Sequence, residues 1–588
     1  MSLRVVIDSW GGRRVLTGFV ETCVVSMIGL CASGFEGPSV LAQANAARGE
    51  RGMVATVHPL ATQAGRNAFE QGGNAIDAAV AAALTLGVVD GHNSGIGGGC
   101  FLLIRRADGQ LLAIDGREAA PLAAHRDMFV RAGVAQPQWS QQGALASGTP
   151  GALAAYHLAL QSAGQLSLAQ LLEPAARIAA DGFPIDRVYA AKLASAAPVL
   201  RQYPASRAAL LKPDGEPFQE GELLRQPDLA ATYRAIAKEG PAWFYQGPFA
   251  QRLADWMAQH GGRLTREDLA QYQAKRRAPL QIDYRGLTVV GFPPPSSGGI
   301  HVAQMLQMLE RFDLQSLHRD DPAQFVHVVA EAMKIAFADR AYWLGDADFV
   351  SVPRGLIERS YCEQLGQQIQ LENTIKVTAA GQPPAAQTLR FEPDLGRHTT
   401  HIATADAHGN WVALTATINT TFGSKVIIPG TGVVLNNEMD DFSIQPGVPN
   451  AFGLIGAEAN AIAPRKRPLS SMSPTLVLKD GKPIFTVGAA GGPTIITQVV
   501  LAILHRIDLQ QDLPECVAIR RFHHQWVPDV LRMEPGYEPV ILQQLERRGH
   551  KVQASSRLGV TQAIALDRDG KTLLGVHDPR VPGSAIGY

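Results

Sequence analysis

R-H-T-T-H-I-A-T-A-D-A-H-G-N-W-V-A-L-T-A-T-I-N-T-T-F-G, running from Arg397 to Gly423, alternates small or apolar side chains with polar ones on both sides of His408-Gly409-Asn410. A period of two predicts a pair of strands, and the central Gly-Asn supplies the tight turn between them. On pattern alone this is ordinary sheet core, because threonine is a strand-favouring residue.

What raises it above ordinary core is the company it keeps. Thr399-Thr400-His401, Asn410, Asn419-Thr420-Thr421-Phe422-Gly423 and Leu435-Asn436-Asn437-Glu438-Met439-Asp440-Asp441-Phe442 resemble the start of the small subunit of the gamma-glutamyltransferases (gamma-glutamyltranspeptidases). These are N-terminal nucleophile hydrolases. The resemblance implies an α/β (α+β) fold, a four-layer αββα sandwich formed jointly by two subunits. It also implies a precursor that cuts its own backbone between His398 and Thr399, leaving a large subunit (45–398) and a small one (399–588).

The chemistry of such a cut is sound on its own terms. A threonine hydroxyl is a weak nucleophile and needs a base beside it, which a freed α-amine on the same residue supplies. That amine titrates at roughly 7.7–8.0, against ~10.4 for lysine, so a useful fraction is neutral near pH 7.

Other motifs resemble the family in the same order along the chain. Gly72 to Val89 reads as a buried Ala-rich helix, and His92-Asn93-Ser94-Gly95-Ile96-Gly97-Gly98-Gly99-Cys100-Phe101 as a glycine loop entering a strand. The loop fails the dinucleotide register at Cys100 and no Gly-Lys-Ser/Thr follows, so a phosphate loop is not expected. Asp115-Gly116-Arg117-Glu118 carries the family's substrate-binding arginine, and Pro293-Pro294-Pro295-Ser296-Ser297-Gly298-Gly299 precedes a helix from Ile300 to Phe312.

Carried over residue by residue, the resemblance implies that Thr399 attacks a γ-glutamyl carbonyl, with Thr417 orienting it and Gly491 and Gly492 holding the oxyanion. It implies that Arg117, Ser470 and Ser471 meet the substrate's α-carboxylate, and that Asn419, Glu438 and Asp441 meet its α-ammonium. Glutathione is the implied substrate, and water or an amino acid or peptide the acceptor. No metal or organic cofactor is expected. Phe452 stands where many bacterial members have a lid tyrosine, so a hydroxyl latch is not expected there.

Bulk properties agree with an enzyme acting on small molecules. The 588 residues are 46% hydrophobic and 18% charged, with 53 basic against 53 acidic side chains and no long basic run, which disfavours nucleic-acid binding. Arg13-Arg14, the apolar run Val15 to Ala32 and Leu41-Ala42-Gln43-Ala44 lay out a signal peptide over residues 1–44, hence export to the periplasm; a membrane anchor or a misassigned start codon is the alternative. Of the five cysteines, Cys100, Cys362 and Cys516 remain after it, too scattered for a disulfide framework or a C-x-x-C site.

Elsewhere, helices are expected in Leu153–Ala163, Leu168–Ala180, Phe249–His260 and His327–Tyr342. Gly345-Asp346-Ala347-Asp348-Phe349 reads as a solvated turn, and Gln370 to Gly396 as a flexible connection to the cut site. His523 and His524 read as structural. Two other functions fit parts of the pattern: a glutaryl or cephalosporin-type acylase of the same superfamily, and an uncleaved exported glutamyl-binding protein.

Overall fold

The computed structural model describes residues 46–384, 399–445 and 448–588. The expected signal peptide and His398 lie outside the described residues. The described residues belong to one compact unit.

The hairpin forms as its alternation predicts. Thr400–Asp406 pairs antiparallel with Trp411–Thr417, Ala405 opposite Trp411. Asp406 builds the turn, its Oδ1 accepting the backbone N–H groups of His408 and Asn410 at 3.0 Å each and its Oδ2 the Asn410 amide at 2.8 Å. Every residue of both strands is buried.

That two-sided burial follows from position. The hairpin lies inside a seven-stranded antiparallel sheet ordered Ser584–Gly587, Gly52–Thr56, Thr400–Asp406, Trp411–Thr417, Gly99–Arg105, Leu111–Gly116, Lys275–Arg277. A second seven-stranded sheet runs Ala47–Gly49, Leu573–His577, Val560–Leu566, Lys482–Ala490, Thr475–Lys479, Leu287–Gly291, Leu280–Tyr284. Both sheets draw strands from either side of residue 399.

Successive side chains on a strand point to opposite faces. Ala403, Ala405 and Ala413 share one apolar cluster with Val487, Ala489 and Ala563 of the second sheet. Small side chains at that face let the two sheets lie close. Ile402, Val412 and Leu414 turn the other way, into a cluster with the helices Pro59–Glu70, Ala75–Val89, Ala152–Ala163 and Leu168–Asp181. Gly298–Leu309, Pro322–Trp343 and Thr494–Ile507 cover the far side of the second sheet. The layers are helix, sheet, sheet, helix.

The Ala-rich helix is Ala75–Val89, buried at all of its residues and opened by a reciprocal cap between Asn74 and Asp77. Asp77 also accepts the backbone N–H groups of Gln165 and Leu166, which satisfies an otherwise costly buried carboxylate.

Two local readings are corrected. Asp346 is no solvated turn residue: it is fully buried, accepting the Arg467 N–H at 3.0 Å and the Asp348 N–H at 3.1 Å, with Arg277 3.6 Å away. The Gln370 to Gly396 connection is tied down over its described part, 370–384. Ile375 N–H donates to Glu331, Gly381 N–H to Asp339, and Trp526 Nε1–H to the Val377 carbonyl. Within the largely helical 150–290 region, Leu280–Tyr284 and Leu287–Gly291 form an edge hairpin, turned by Arg285 and Gly286 at φ of 53° and 74°.

Among the described residues no helix is long and apolar enough to cross a membrane. Cys100, Cys362 and Cys516 are buried free thiols.

Candidate active site

Thr399 stands immediately before the strand Thr400–Asp406, only 6% exposed, and lines two cavities. The first also has Arg117, Thr417, Asn419, Glu438 and Asp441 in its wall, with Ser470, Ser471 and Gly492 closing it. Nine of the ten residues singled out from sequence therefore converge on one space. The tenth, Gly491, lines the second cavity beside Thr399.

Each side chain is positioned by a local device. Thr417 ends the hairpin, and its Oγ1 accepts the Asn419 N–H at 2.8 Å. Asn419 holds φ of 74°, a left-handed conformation that asparagine tolerates better than most residues, and donates its amide to the Asn437 carbonyl at 2.9 Å. Glu438 and Asp441 sit on the single 3-10 turn Glu438–Asp441. Asn436 anchors that turn by accepting the Gly148 and Glu438 N–H groups and donating to the Gly97 and Gly148 carbonyls.

The glycine loop serves this packing. A Cβ on Gly98 would lie 2.0 Å from the Thr417 carbonyl, so any side chain there would displace the hairpin's end. Gly491 and Gly492, at φ of 138° and 60°, turn the chain from the strand Lys482–Ala490 into the helix Thr494–Ile507. Their carbonyls are taken by the helix's first turn, through Thr494 Oγ1 at 2.8 Å and Ile495 N–H at 3.0 Å.

Arg117, 1% exposed, is the electrostatic centre. Its guanidinium pairs with Glu438 and with Asp441 and lies 3.5 Å from Glu118, while Nε donates to the Pro468 carbonyl at 3.0 Å. Burial pulls the guanidinium down, but the three carboxylates outweigh it and hold it above its usual value. Burial pushes Glu118 up to about 7 and raises Glu438 and Asp441 too, with Arg117 opposing each shift.

Opposite charges in the site are thus already paired with one another. The arginine expected for a carboxylate and the acids expected for an ammonium grip one another, and the remaining space is about 20 Å³. Asn419 Oδ1 and Glu438 Oε2 stay buried without a hydrogen-bond partner among the described residues. Both are acceptors, the complement of a cationic nitrogen.

Phe452, 4% exposed, lies against this space and its N–H is held by Asn450 Oδ1; Asn450 in turn donates to Asp441 at 3.1 Å. The phenylalanine closes the pocket by apolar contact.

Sequence reasoning missed Arg340. From the helix Pro322–Trp343 it reaches Ser297 Oγ and Ser471 Oγ, both at 3.0 Å, and burial pushes it down to about 10. The available signal was the charged Asp339-Arg340 pair within the expected helix His327 to Tyr342.

Two other polar clusters are structural. His327, Glu331 and His550 bring ligand-type atoms within 4.8 Å of one another. His327 Nδ1 and His550 Nε2 are 2.7 Å apart, and Glu331 is committed to Thr374, Ile375 and Lys334. The cluster pins residues 370–375. His523 bonds Thr497 and Gln525, whereas His524 bonds Asp529 and Trp526, so the neighbouring imidazoles serve separate networks as expected.

The family profile described as Gamma-glutamyltranspeptidase matches residues 61–588. The glutathione hydrolase proenzyme of Escherichia coli (strain K12) is 44% identical over 545 residues, spanning 92% of this chain and 92% of that protein. An acylase ACY 1 proenzyme from Pseudomonas sp. (strain SE83) is 39% identical over 550 residues, 92% of this chain and 94% of that one. Among solved structures, the cephalosporin acylase from Bacillus halodurans superposes with a TM-score of 0.83 at 29% identity, covering 96% of this chain and 99% of that chain.

Proposed function

The chain belongs to the gamma-glutamyltranspeptidase family, and we propose that it works as a gamma-glutamyltransferase and glutathione hydrolase with Thr399 as nucleophile. The observation that carries this reading is the convergence of Thr399 with a buried arginine and unfilled acceptors on one cavity.

Thr399 Oγ first attacks the His398 carbonyl; the C–N bond breaks as the ester forms, the nitrogen takes the hydroxyl's proton and becomes the free α-amine, and water then splits the ester to return the hydroxyl and leave a carboxylate on His398. In turnover that amine takes the hydroxyl proton while Oγ attacks the γ-carbonyl carbon. Gly491 and Gly492 N–H groups stabilise the oxyanion, and Thr417 orients the nucleophile. The C–N bond then breaks, its nitrogen receives the proton, and the glutamyl group stays as an ester on Thr399. Water or an acceptor amine attacks that ester, the C–O bond breaks and the proton returns to Oγ.

The substrate's zwitterionic end opens the internal ion pairs: its α-carboxylate takes Arg117, Ser470 and Ser471, and its α-ammonium takes Asn419, Glu438 and Asp441. A site that has buried these partners rejects ligands lacking them, by about 10⁴-fold or more where polar atoms would be left unpaired. Glutaryl side chains lack the ammonium, which disfavours the acylase reading. The large and small subunits form the two-chain enzyme. Residues 1–44 direct export, and the periplasm is the proposed location.

The test compares hydrolysis of γ-glutamyl and glutaryl p-nitroanilides by purified protein, with N-terminal sequencing of its chains. Preference for the γ-glutamyl compound and a chain starting at Thr399 are expected. Preference for the glutaryl compound would instead establish the acylase, and one uncleaved inert chain the binding protein.

Arg340 orients Ser471 in this scheme. A hydrogen bond to a charged group contributes about 1.5–3 kcal/mol. Arg340→Met is therefore expected to raise KM for the γ-glutamyl anilide about 10- to 100-fold with a smaller change in kcat. An unaltered KM would reduce the arginine to packing.

A further inference from the structure

An α-amino acid end carries its ammonium and its carboxylate on one carbon. A site that grips both must hold its two arms a fixed distance apart, because a misplacement of about 1 Å can cost about 100-fold in rate. In the first cavity one arm is Asp441, on the turn Glu438–Asp441, and the other is the strip Ser470-Ser471. They belong to separate segments of the chain, so their spacing has to be set by a third element.

Asn460 supplies it. The residue ends the 3-10 turn Glu458–Asn460 and is 4% exposed. Its amide nitrogen donates to the Asp441 carbonyl at 2.7 Å, and its amide oxygen accepts the Leu469 N–H, next to Ser470, at 3.0 Å. A backbone carbonyl only accepts and a backbone N–H only donates, which fixes the orientation of the carboxamide. The backbone of Asn460 is committed elsewhere: its N–H donates to the Ala457 carbonyl at 3.0 Å and its carbonyl accepts the Ser443 N–H at 2.9 Å.

Each arm is braced again beyond this tie. Asn450 donates to the Asp441 carboxylate at 3.1 Å. Ser470 N–H donates to the Pro295 carbonyl and the Ser470 carbonyl accepts the Ser297 N–H, both at 2.8 Å. The Leu469 carbonyl also accepts from Arg117 Nη2 at 3.3 Å, so the arginine rests on the same strip. A planar group of fixed width thus joins two braced arms.

We propose that Asn460 is a specificity-determining positioning residue: its carboxamide sets the spacing between the two arms and so selects acyl donors whose ammonium and carboxylate share a carbon. The inference rests on the reading of the first cavity as the seat of the α-amino acid end of a γ-glutamyl group.

Three p-nitroanilides of equal chain length test it: γ-glutamyl, 3-aminoglutaryl, whose ammonium sits one carbon further from the carboxylate, and glutaryl, which has no ammonium. Wild type is compared with Asn460→Asp, which keeps an acceptor for Leu469 but sets an oxygen against the Asp441 carbonyl, and with Asn460→Ala, which removes both contacts. Wild type is expected to favour the γ-glutamyl over the 3-aminoglutaryl compound about 100-fold in kcat/KM. Both variants are expected to lower that ratio about tenfold or more, through a higher KM for the γ-glutamyl compound, while the glutaryl compound changes much less. In an Asp441→Asn background the same substitutions are expected to move the ratio little, because the arm they position has lost its charge. Thermal melts and intact mass identify folded, processed protein, and the nearly isosteric Asn460→Asp is expected to be both. Equal use of the two amino compounds by wild type, an unmoved ratio in the variants, or an equal loss on all three anilides overturns the proposal and leaves the γ-glutamyl reading standing. If neither variant folds, the residue is structural and the proposal falls. A wild type that prefers the glutaryl compound, or frees no nitroaniline at all, removes the reading of the cavity beneath it as well.

Discussion

Thr399→Ala is expected to give a single unbroken polypeptide that releases no measurable p-nitroaniline from γ-glutamyl-p-nitroanilide. In the proposed scheme the hydroxyl acts in both reactions, so its removal is expected to abolish the cut and the turnover together. Loss of a nucleophile costs about 10⁶-fold in rate. The site holds the small side chain at the mouth of a strand, 6% exposed, so alanine leaves the surrounding sheet in place. Thr399→Ser keeps a hydroxyl and gains a free amine on cleavage, and it is expected to recover both processing and measurable activity. Intact mass and N-terminal sequencing decide the matter: an alanine variant that still splits, or a wild-type second chain starting elsewhere, removes Thr399 from the mechanism.

Asp441→Asn has the next largest expected effect. The side chain pairs with Arg117 and accepts from Asn450 at 3.1 Å. Asparagine keeps an oxygen for the second contact and deletes the charge. Truncating one partner of a buried charged pair costs about 2–5 kcal/mol, so KM for the γ-glutamyl anilide is expected to rise about 30-fold or more. The glutaryl anilide has no ammonium to lose, and the ratio of the two substrates is expected to shift toward it. Circular dichroism and a thermal melt separate this from unfolding. If KM for the γ-glutamyl compound stays at its wild-type value, the carboxylate has no part in binding the ammonium.

Much of this was legible in the sequence because it is local. The Thr400–Thr417 alternation, the Asn74–Asp77 cap and the turn at Gly409 each state their geometry within a few residues. The first-cavity residues were reached through motif resemblance, since nothing in the spacing of Arg117 and Glu438 reveals that they touch. What escaped was tertiary. Arg340 meets Ser471 across 131 positions, and the burial of Asp346 depends on Arg467, 121 positions on. The edge hairpin Leu280–Tyr284 to Leu287–Gly291 did carry a signal, alternation around Arg285-Gly286, which the helical character of its surroundings obscured.

The interleaving of strands bears on what the proposed scission at residue 399 would do to the molecule. In the first sheet, Thr400–Asp406 lies between Gly52–Thr56 and its own hairpin mate, which is flanked in turn by Gly99–Arg105. Neither of the two proposed fragments would own a complete sheet, so a nicked pair could not come apart without exposing the apolar interior of both. Such a break would change connectivity while leaving cohesion intact: fragments from two molecules should not exchange under native conditions, and melting should remain one cooperative event.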